Sequence, residues 1–397
     1  MLQKTKKKLS KKKISKKLTK PKKLQKLKKT QKSPQNKSSP GQYLRSYSPS
    51  LNRPLGSQRS FSPRKTNVDR FFSTKCKDKK DIRVGQQCID YTSERAVQIM
   101  SELLKMKPKS YQSPENIAPP KQSMKNCWLN AFFMCYFISD KGQKFFKSFR
   151  NTMITGKDTN QNDVVAEKYK EGLWLLNKLI TASLFGKRHK NTEHFVNTTS
   201  TNTVLKTLKG VNVTKSERAI TSPNLAYNPI AFYDNLFHIL KLTEGVDFSL
   251  INTYDKFNMI VKEGRSTNKT HLYIIERYDD KMSSSKNSPP NTLQCNKGEM
   301  PLQFISNGYV YSLDSAVLRD IERRHFTSYV TIQKQEFGYD GAAAKQLQPM
   351  NWKQKINGQG VTKPWTFGKL NNNSFSLQEK FDFKKGYHLL FYYRTSQ

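Results

Sequence analysis

Along this chain the apolar positions change period, and the change separates two kinds of element. From Asp81 to Lys105 the residues Ala96, Val97, Met100, Leu103 and Leu104 recur at intervals of three and four, which stacks them on one face of an α-helix. A Pro-containing loop, Lys107 to Pro120, follows. Cys127 to Phe149 and Tyr169 to Phe185 return to helical spacing, whereas Asn191 to Asn228 is rich in Thr and Asn and reads as loop with one short helix. Ile230 to Leu242 predicts a further helix that ends before Glu244-Gly245. After it the period falls to two, predicting strands over Phe248 to Ile251, His271 to Ile275, Gly308 to Val317, Phe326 to Ile332 and Tyr387 to Tyr393. Between them Asp279 to Lys297 has the composition of a mobile surface loop. Helices first and antiparallel strands afterwards predict an α+β domain.

Composition changes the picture at one end. The chain has 397 residues and a formal net charge of +41. Met1 to Arg70 holds 23 bases against the single acid Asp69, too charged and too poor in apolar residues to offset the entropy of ordering. Residues 1 to 70 therefore read as a disordered basic tail, 71 to 120 as a helical lead-in and linker, and 121 to 397 as the main domain. In the tail, Ser33-Pro34, Ser39-Pro40, Ser48-Pro49 and Ser62-Pro63 sit among Arg45, Arg53, Arg59 and Arg64, with Tyr43, Tyr47 and Phe61 interleaved. That texture suits phosphate contacts and stacking on nucleic acid, and equally a solubilising or nuclear-localising tail.

No apolar run approaches the ~18–20 residues of a membrane-spanning helix, and no apolar segment follows the basic N-terminus to make a secretory signal. The five cysteines Cys76, Cys88, Cys127, Cys135 and Cys295 are odd in number and contain no CxxC pair. A disulfide framework and a zinc site are thus unexpected, and an intracellular, reducing setting fits. The sequence implies no cofactor.

The chemistry begins at Cys127, which directly precedes a strongly apolar helix in KNCWLNAFF. There the unpaired amides and the helix dipole favour a thiolate. Gln122, five residues upstream, is within reach to donate to a developing oxyanion, with Asn126 a second candidate. Cys135, two turns on, points to the core. His325 opens an alternating strand, and fifteen residues later Asp340 ends what reads as the neighbouring strand, joined by a short turn near Gln333 to Glu336. Antiparallel pairing brings Asp340 alongside His325, so that the acid orients one ring nitrogen while the other takes the proton of Cys127. Asp314, Asp320 and Asp382 compete for the third role, Asp382 most strongly because Phe381 and Phe383 flank it. His238 and His388 read as structural, and His189 with His194 makes a poor metal site.

The order Cys, His, Asp resembles the papain-like cysteine proteases, and more narrowly the ubiquitin-specific protease family. NCWLNA is similar to the family's cysteine box, with Gln122 where an oxyanion-stabilising Asn is usual. YSLDSAVLRDIERRHFTSYVTIQKQEFGYDGA resembles its histidine box through Tyr311, Leu313, Ala316, Val317, His325, Tyr329 and Asp340, and YHLLFYYR at Tyr387 to Arg394 resembles its closing strand. AFYDNLFHILKL at Ala231 to Leu242 is a weaker echo of a family helix. The resemblance covers residues 120 to 395. It implies an N-terminal helical lobe, a C-terminal antiparallel sheet, and a deubiquitinase-like thiol hydrolase of peptide or isopeptide bonds. The partner implied is a ubiquitin-like conjugate or a viral precursor, because a compact, divergent protease behind a Lys-rich tail is similar to proteins of large DNA viruses, found in virions or host cytoplasm. The alternative is a catalytically inactive, nucleic-acid-binding virion or structural protein that uses the tail.

Overall fold

The computed structural model describes residues 68–106, 113–123, 125–208, 230, 236, 248–266, 270–279, 291–322, 325–357, 364–368 and 380–396. Most of the tail and most of the helix expected over Ile230 to Leu242, His238 included, lie outside them.

The described chain begins with a 3-10 turn, Val68–Phe72, whose Val68, Phe71 and Phe72 are buried in the same apolar cluster as the helices that follow. The helix expected from Asp81 is shorter than its periodicity suggested. Residues Ile82–Val84 (β1) and Gln87–Ile89 (β2) form a hairpin, and helix α1 starts only at Glu94, running to Lys105. Gly85, at φ +62, makes the turn, and Ser93 stops the helix from extending back by accepting from the Ala96 amide as its N-cap. The hairpin carries Cys88 to Cys76, and the two form a disulfide with Cα atoms 5.6 Å apart. This corrects the expectation that no cysteines pair: the count was odd because Cys127, Cys135 and Cys295 stay free.

The apolar run after Cys127 is also broken into pieces. Helix α2 (Cys127–Phe133) passes into a π-helical turn, Met134–Ile138, and then α3 (Asp140–Phe145) and α4 (Lys147–Thr155). Every residue from Cys127 to Ile138 is buried. The long α5 (Glu167–Phe185) is buried over almost its whole circumference from Gly172 onward, as expected of a central helix. The described part of the Thr/Asn-rich stretch, up to residue 208, holds two helices rather than one, α6 (Lys190–Thr198) and α7 (Thr201–Thr207).

The C-terminal half builds the sheet. Its strands are β3 (Phe248–Ile251), β4 (Leu272–Tyr278), β5 (Gln303–Ser306), β6 (Tyr309–Arg319), β7 (Phe326–Ile332), β8 (Gln335–Tyr339), β9 (Leu347–Pro349) and β10 (Tyr387–Ser396), with short helices α8 (Tyr254–Phe257) and α9 (Trp352–Ile356) between them. The strand order is β3-β4-β10-β6-β7-β8-β9, and β5 pairs with the first residues of β6. All pairings are antiparallel except β3 on β4, which runs parallel and departs from the all-antiparallel expectation. Period-two alternation divides the side chains between two buried layers. Leu272, Ile274, Val317, Val330, Leu389 and Phe391 join the helical core, whereas Tyr273, Ile275, Ala316, Tyr329, Leu390 and Tyr392 face a second cluster with Trp352, Phe381 and Phe383. The segment expected as a surface loop is partly structural. Its residues 280–290 lie outside the description, but Leu293 and Cys295 are buried, and backbone bonds tie Leu293 to Asn252 and Cys295 to Tyr278. The architecture is thus α+β, with a helical layer against one face of a predominantly antiparallel sheet.

Candidate active site

Two neighbouring strands create one half of the site. Register pairs Ser328 with Tyr339 and Ile332 with Gln335, so the residues just outside the strand ends, His325 and Asp340, fall side by side. The His325 Nε2 and Asp340 Oδ1 atoms are 2.8 Å apart, and both residues are buried. The main chain fixes each of them. His325 donates its amide to Asp320 Oδ1 at 2.7 Å and accepts from the Asp320 amide through its carbonyl, while Asp340 Oδ1 also accepts the Ala342 amide at 2.8 Å. Asp320 therefore holds the histidine backbone rather than its ring. Asp314 is committed to the amides of Lys141 and Gly142, and Asp382 to that of Lys384. Of the four aspartates in competition, Asp340 is the one on the imidazole.

The other half comes from the start of α2. Cys127 is its first residue, 9 % exposed, and its thiol is near enough to the His325 ring to favour the ring's protonated form. Because Asp340 occupies Nε2, the nitrogen left for sulfur is Nδ1. Burial opposes a positive imidazole, but the hydrogen bonds with Asp340 and Cys127 and their charges outweigh it and hold His325 well above the ordinary histidine range. Cys135, in contrast, is fully enclosed, with its Sγ 3.6 Å from the Ala316 carbonyl, and burial drives its thiol strongly upward.

Gln122 reaches the same place by its backbone, donating its amide to the Gly341 carbonyl at 2.9 Å. Asn126, the second candidate donor, is held by the loop around it. Its side-chain carbonyl accepts from the Ser123 amide and its side-chain amide donates to Thr201 Oγ1 at 2.7 Å, which shapes the loop. The loop's other fasteners carry no sequence signal of their own. Thr201 donates to Asn130 Oδ1, Asn202 donates to the Ser123 carbonyl, Ser123 and Ser200 share a hydroxyl bond, and Tyr339 donates to the Pro120 carbonyl at 2.5 Å. Residues 200–202 come from the stretch that reads as Thr/Asn-rich loop, where only their capping chemistry at α7 hinted at order. Of the remaining histidines, His388 is buried with Nε2 against the Asp382 and Lys385 carbonyls, consistent with a structural role, and His189 stands at the N-cap position of α6 without a side-chain capping bond. Among the described residues no group of three His, Cys, Asp or Glu side chains could hold a metal ion.

No protein-family profile and no curated protein matches this sequence. Solved structures align with this chain at low similarity. An essential yeast splicing factor aligns over 71% of this chain and 70% of its own at 12% identity, with a TM-score of 0.38. The Ubp8-Sgf11-Sgf73-Sus1 SAGA DUB module aligns over 78% and 76% at 10% identity, TM-score 0.38. The SAGA DUB module bound to monoubiquitin gives 8% identity over 78% and 77%, TM-score 0.39.

Proposed function

We propose that this protein is a thiol hydrolase of peptide or isopeptide bonds, acting on a ubiquitin-like conjugate. The observation that carries the reading is the convergence of three distant segments, Cys127 on a helix start, His325 and Asp340 on adjacent strand ends, with the 2.8 Å bond from Nε2 to the carboxylate and the Cys127 thiol beside the same ring. A histidine and an aspartate bonded inside a core are common enough as scaffolding. A histidine bonded to a buried acid beside a helix-terminal thiol is the arrangement that nucleophilic catalysis requires.

In this reading Cys127 Sγ attacks the scissile carbonyl carbon and its proton resides on His325. Asp340 keeps the ring oriented and stabilises its positive charge. The backbone amide of Cys127 and the Gln122 side chain stabilise the oxyanion. As the tetrahedral species collapses, the C–N bond breaks and His325 protonates the departing amine, leaving a thioester on Cys127. Water, deprotonated by His325, then attacks the thioester, releases the carboxylate and returns the thiol. The choice of a ubiquitin-like substrate rests on the resemblance of the cysteine and histidine boxes to those of ubiquitin-specific proteases. A fluorogenic amide at the ubiquitin C-terminus tests it. Turnover is expected from the native chain and not from Cys127→Ala or His325→Ala; turnover that survives either substitution overturns the reading.

A further inference from the structure

Where the sheet ends beside His325, one cation stands without an acid. Arg319 is the last residue of β6 and directly precedes Asp320, which holds the histidine main chain. Its Cα partners are Phe326, the residue after His325, on one side and Tyr387 on the other. Cross-strand partners share a face of the sheet, and Phe326 and Tyr387 are both buried in the helical-layer cluster that contains Cys127. The Arg319 side chain therefore lies on the Cys127 side, one strand from the residue that follows the histidine. There it is half-buried, its guanidinium carbon 5.4 Å from the centre of the Phe326 ring. The ring steadies the cation, and Nε is enclosed without a hydrogen-bond partner. The nearby carboxylates face other groups: Asp320 Oδ1 takes the His325 amide, Glu276 Oε1 the Tyr387 hydroxyl, and Asp279 Oδ2 the Gly386 amide. No ion pair to Arg319 forms among the described residues. A half-buried guanidinium without a carboxylate is uncommon, because nothing compensates its lost hydration.

We propose that Arg319 sets the specificity of the thiol hydrolase inferred above by pairing with an acidic side chain on the acyl side of the scissile bond. In an isopeptide bond the amine belongs to a single lysine side chain, whereas the acyl group ends an extended chain. A recognition residue beside the thiol therefore meets the acyl side. Neighbouring strands lie about 4.8 Å apart. A guanidinium one strand from the His325 end of β7 thus serves a residue roughly 10 Å from the scissile carbonyl, the third in an extended chain at ~3.3 Å per residue. The terminal nitrogens supply the parallel N–H pair that a carboxylate accepts in both oxygens and a carboxamide cannot match.

The test gives the full-length protein fluorogenic peptide amides with glycine next to the bond and either Glu or Gln at the second, third or fourth residue before it. The ratio kcat/KM should favour Glu over Gln about tenfold, most at the third residue and mainly through KM, and the advantage should shrink as sodium chloride is raised. Arg319→Gln should remove the preference and leave turnover of the Gln peptides unchanged, and Arg319→Lys should keep part of it. Lys334→Gln, an equal loss of charge at the far end of β7, should keep all of it, which separates Arg319 from the general attraction of a basic chain. Fluorescence anisotropy of the same peptides, labelled and ending in a carboxylate, reads recognition without catalysis. Arg319-dependent preference for Glu in binding, without turnover of any peptide, supports this subsite and contradicts the hydrolase reading instead. Equal rates and affinities for Glu and Gln peptides in the native protein, a comparison that needs no variant to fold, or a preference that survives Arg319→Gln, overturns the proposal.

Discussion

A methyl group added at residue 341 would stand 2.7 Å from the Tyr339 hydroxyl, 3.1 Å from the Gln122 amide nitrogen and 3.3 Å from Asn130 Nδ2. Gly341 is thus the point where the loop before Cys127 closes on the strand that carries Asp340. Gly341→Ala should cost about 1–3 kcal/mol, the usual range for overpacking, seen as a lower midpoint in chemical denaturation with hydrolysis reduced alongside. Asp340→Asn separates shape from charge at the neighbouring residue. By analogy with serine triads it should lower turnover by a few orders of magnitude, while Asp382→Asn leaves turnover near normal; the reverse result would move the orienting role. His388 makes a pH prediction. Burial first, and then the charge of Arg277, pull it down to about 3. Below pH ~6.5 the unfolded chain takes up a proton that the folded chain refuses, costing roughly 1.4 kcal/mol of stability per pH unit. Asp314, which burial pushes up to about 6, works in the opposite sense between its ordinary range and pH 6, so the raw stability curve mixes the two. The difference between the native protein and His388→Gln isolates the histidine. Denaturation at pH 7 and pH 5.5 should show that difference shifting in favour of the variant by about 1–2 kcal/mol, and a constant difference would contradict the assignment.

At the scale of elements, what could be read in advance followed from periodicity. The strand expected over Phe326 to Ile332 has those bounds in the structure, and the antiparallel partner needed to bring Asp340 to His325 is β8. Helix ends were less legible, because they depend on particular partners: the hairpin before α1 needed Gly85 and Ser93, and the break after Ile138 needed Ser139, whose hydroxyl accepts the Gly142 amide. The clamp formed by Thr201 and Asn202 was invisible, since polar residues in a polar stretch acquire meaning only when a distant loop reaches them. The turn between β7 and β8 is a similar case. Gln333 and Lys334 both adopt positive φ, 55 and 64, which side chains other than Gly, Asn and Asp resist. Asp140 offsets the strain by accepting both amides at 2.9 Å. Asp140→Ala should therefore destabilise the fold by about 1–2 kcal/mol, and Gln333→Asn should recover about 0.5 kcal/mol of it. Thermal unfolding of the single and double variants measures both; a Gln333→Asn substitution without benefit would mean that the turn stores no strain.

For the whole molecule, charge and fold are separable. Residues 1–70 carry +22 of the +41, and a nucleic-acid role for them is a proposal that salt dependence can decide. Removing residues 1–67, which carry the same +22 and leave the buried Val68–Phe72 turn in place, should leave the melting temperature nearly unchanged and flatten the slope of log affinity against log salt for duplex and single strand, because each lysine paired with a phosphate releases about 0.7–0.9 of a counterion. Equal slopes with and without the tail would assign the contacts to the remaining chain. The central claim, that His325 and Asp340 activate Cys127, needs no knowledge of the substrate to be tested. The second-order rate of iodoacetamide alkylation, mapped by peptide mass to each cysteine in the folded protein, reads the thiol directly. Alkylation is expected at Cys127 well ahead of the enclosed Cys135 and Cys295, slowing at least tenfold in His325→Ala as the base beside the thiol is removed. An unchanged rate in that variant, or first reaction at Cys135 or Cys295, would contradict the account.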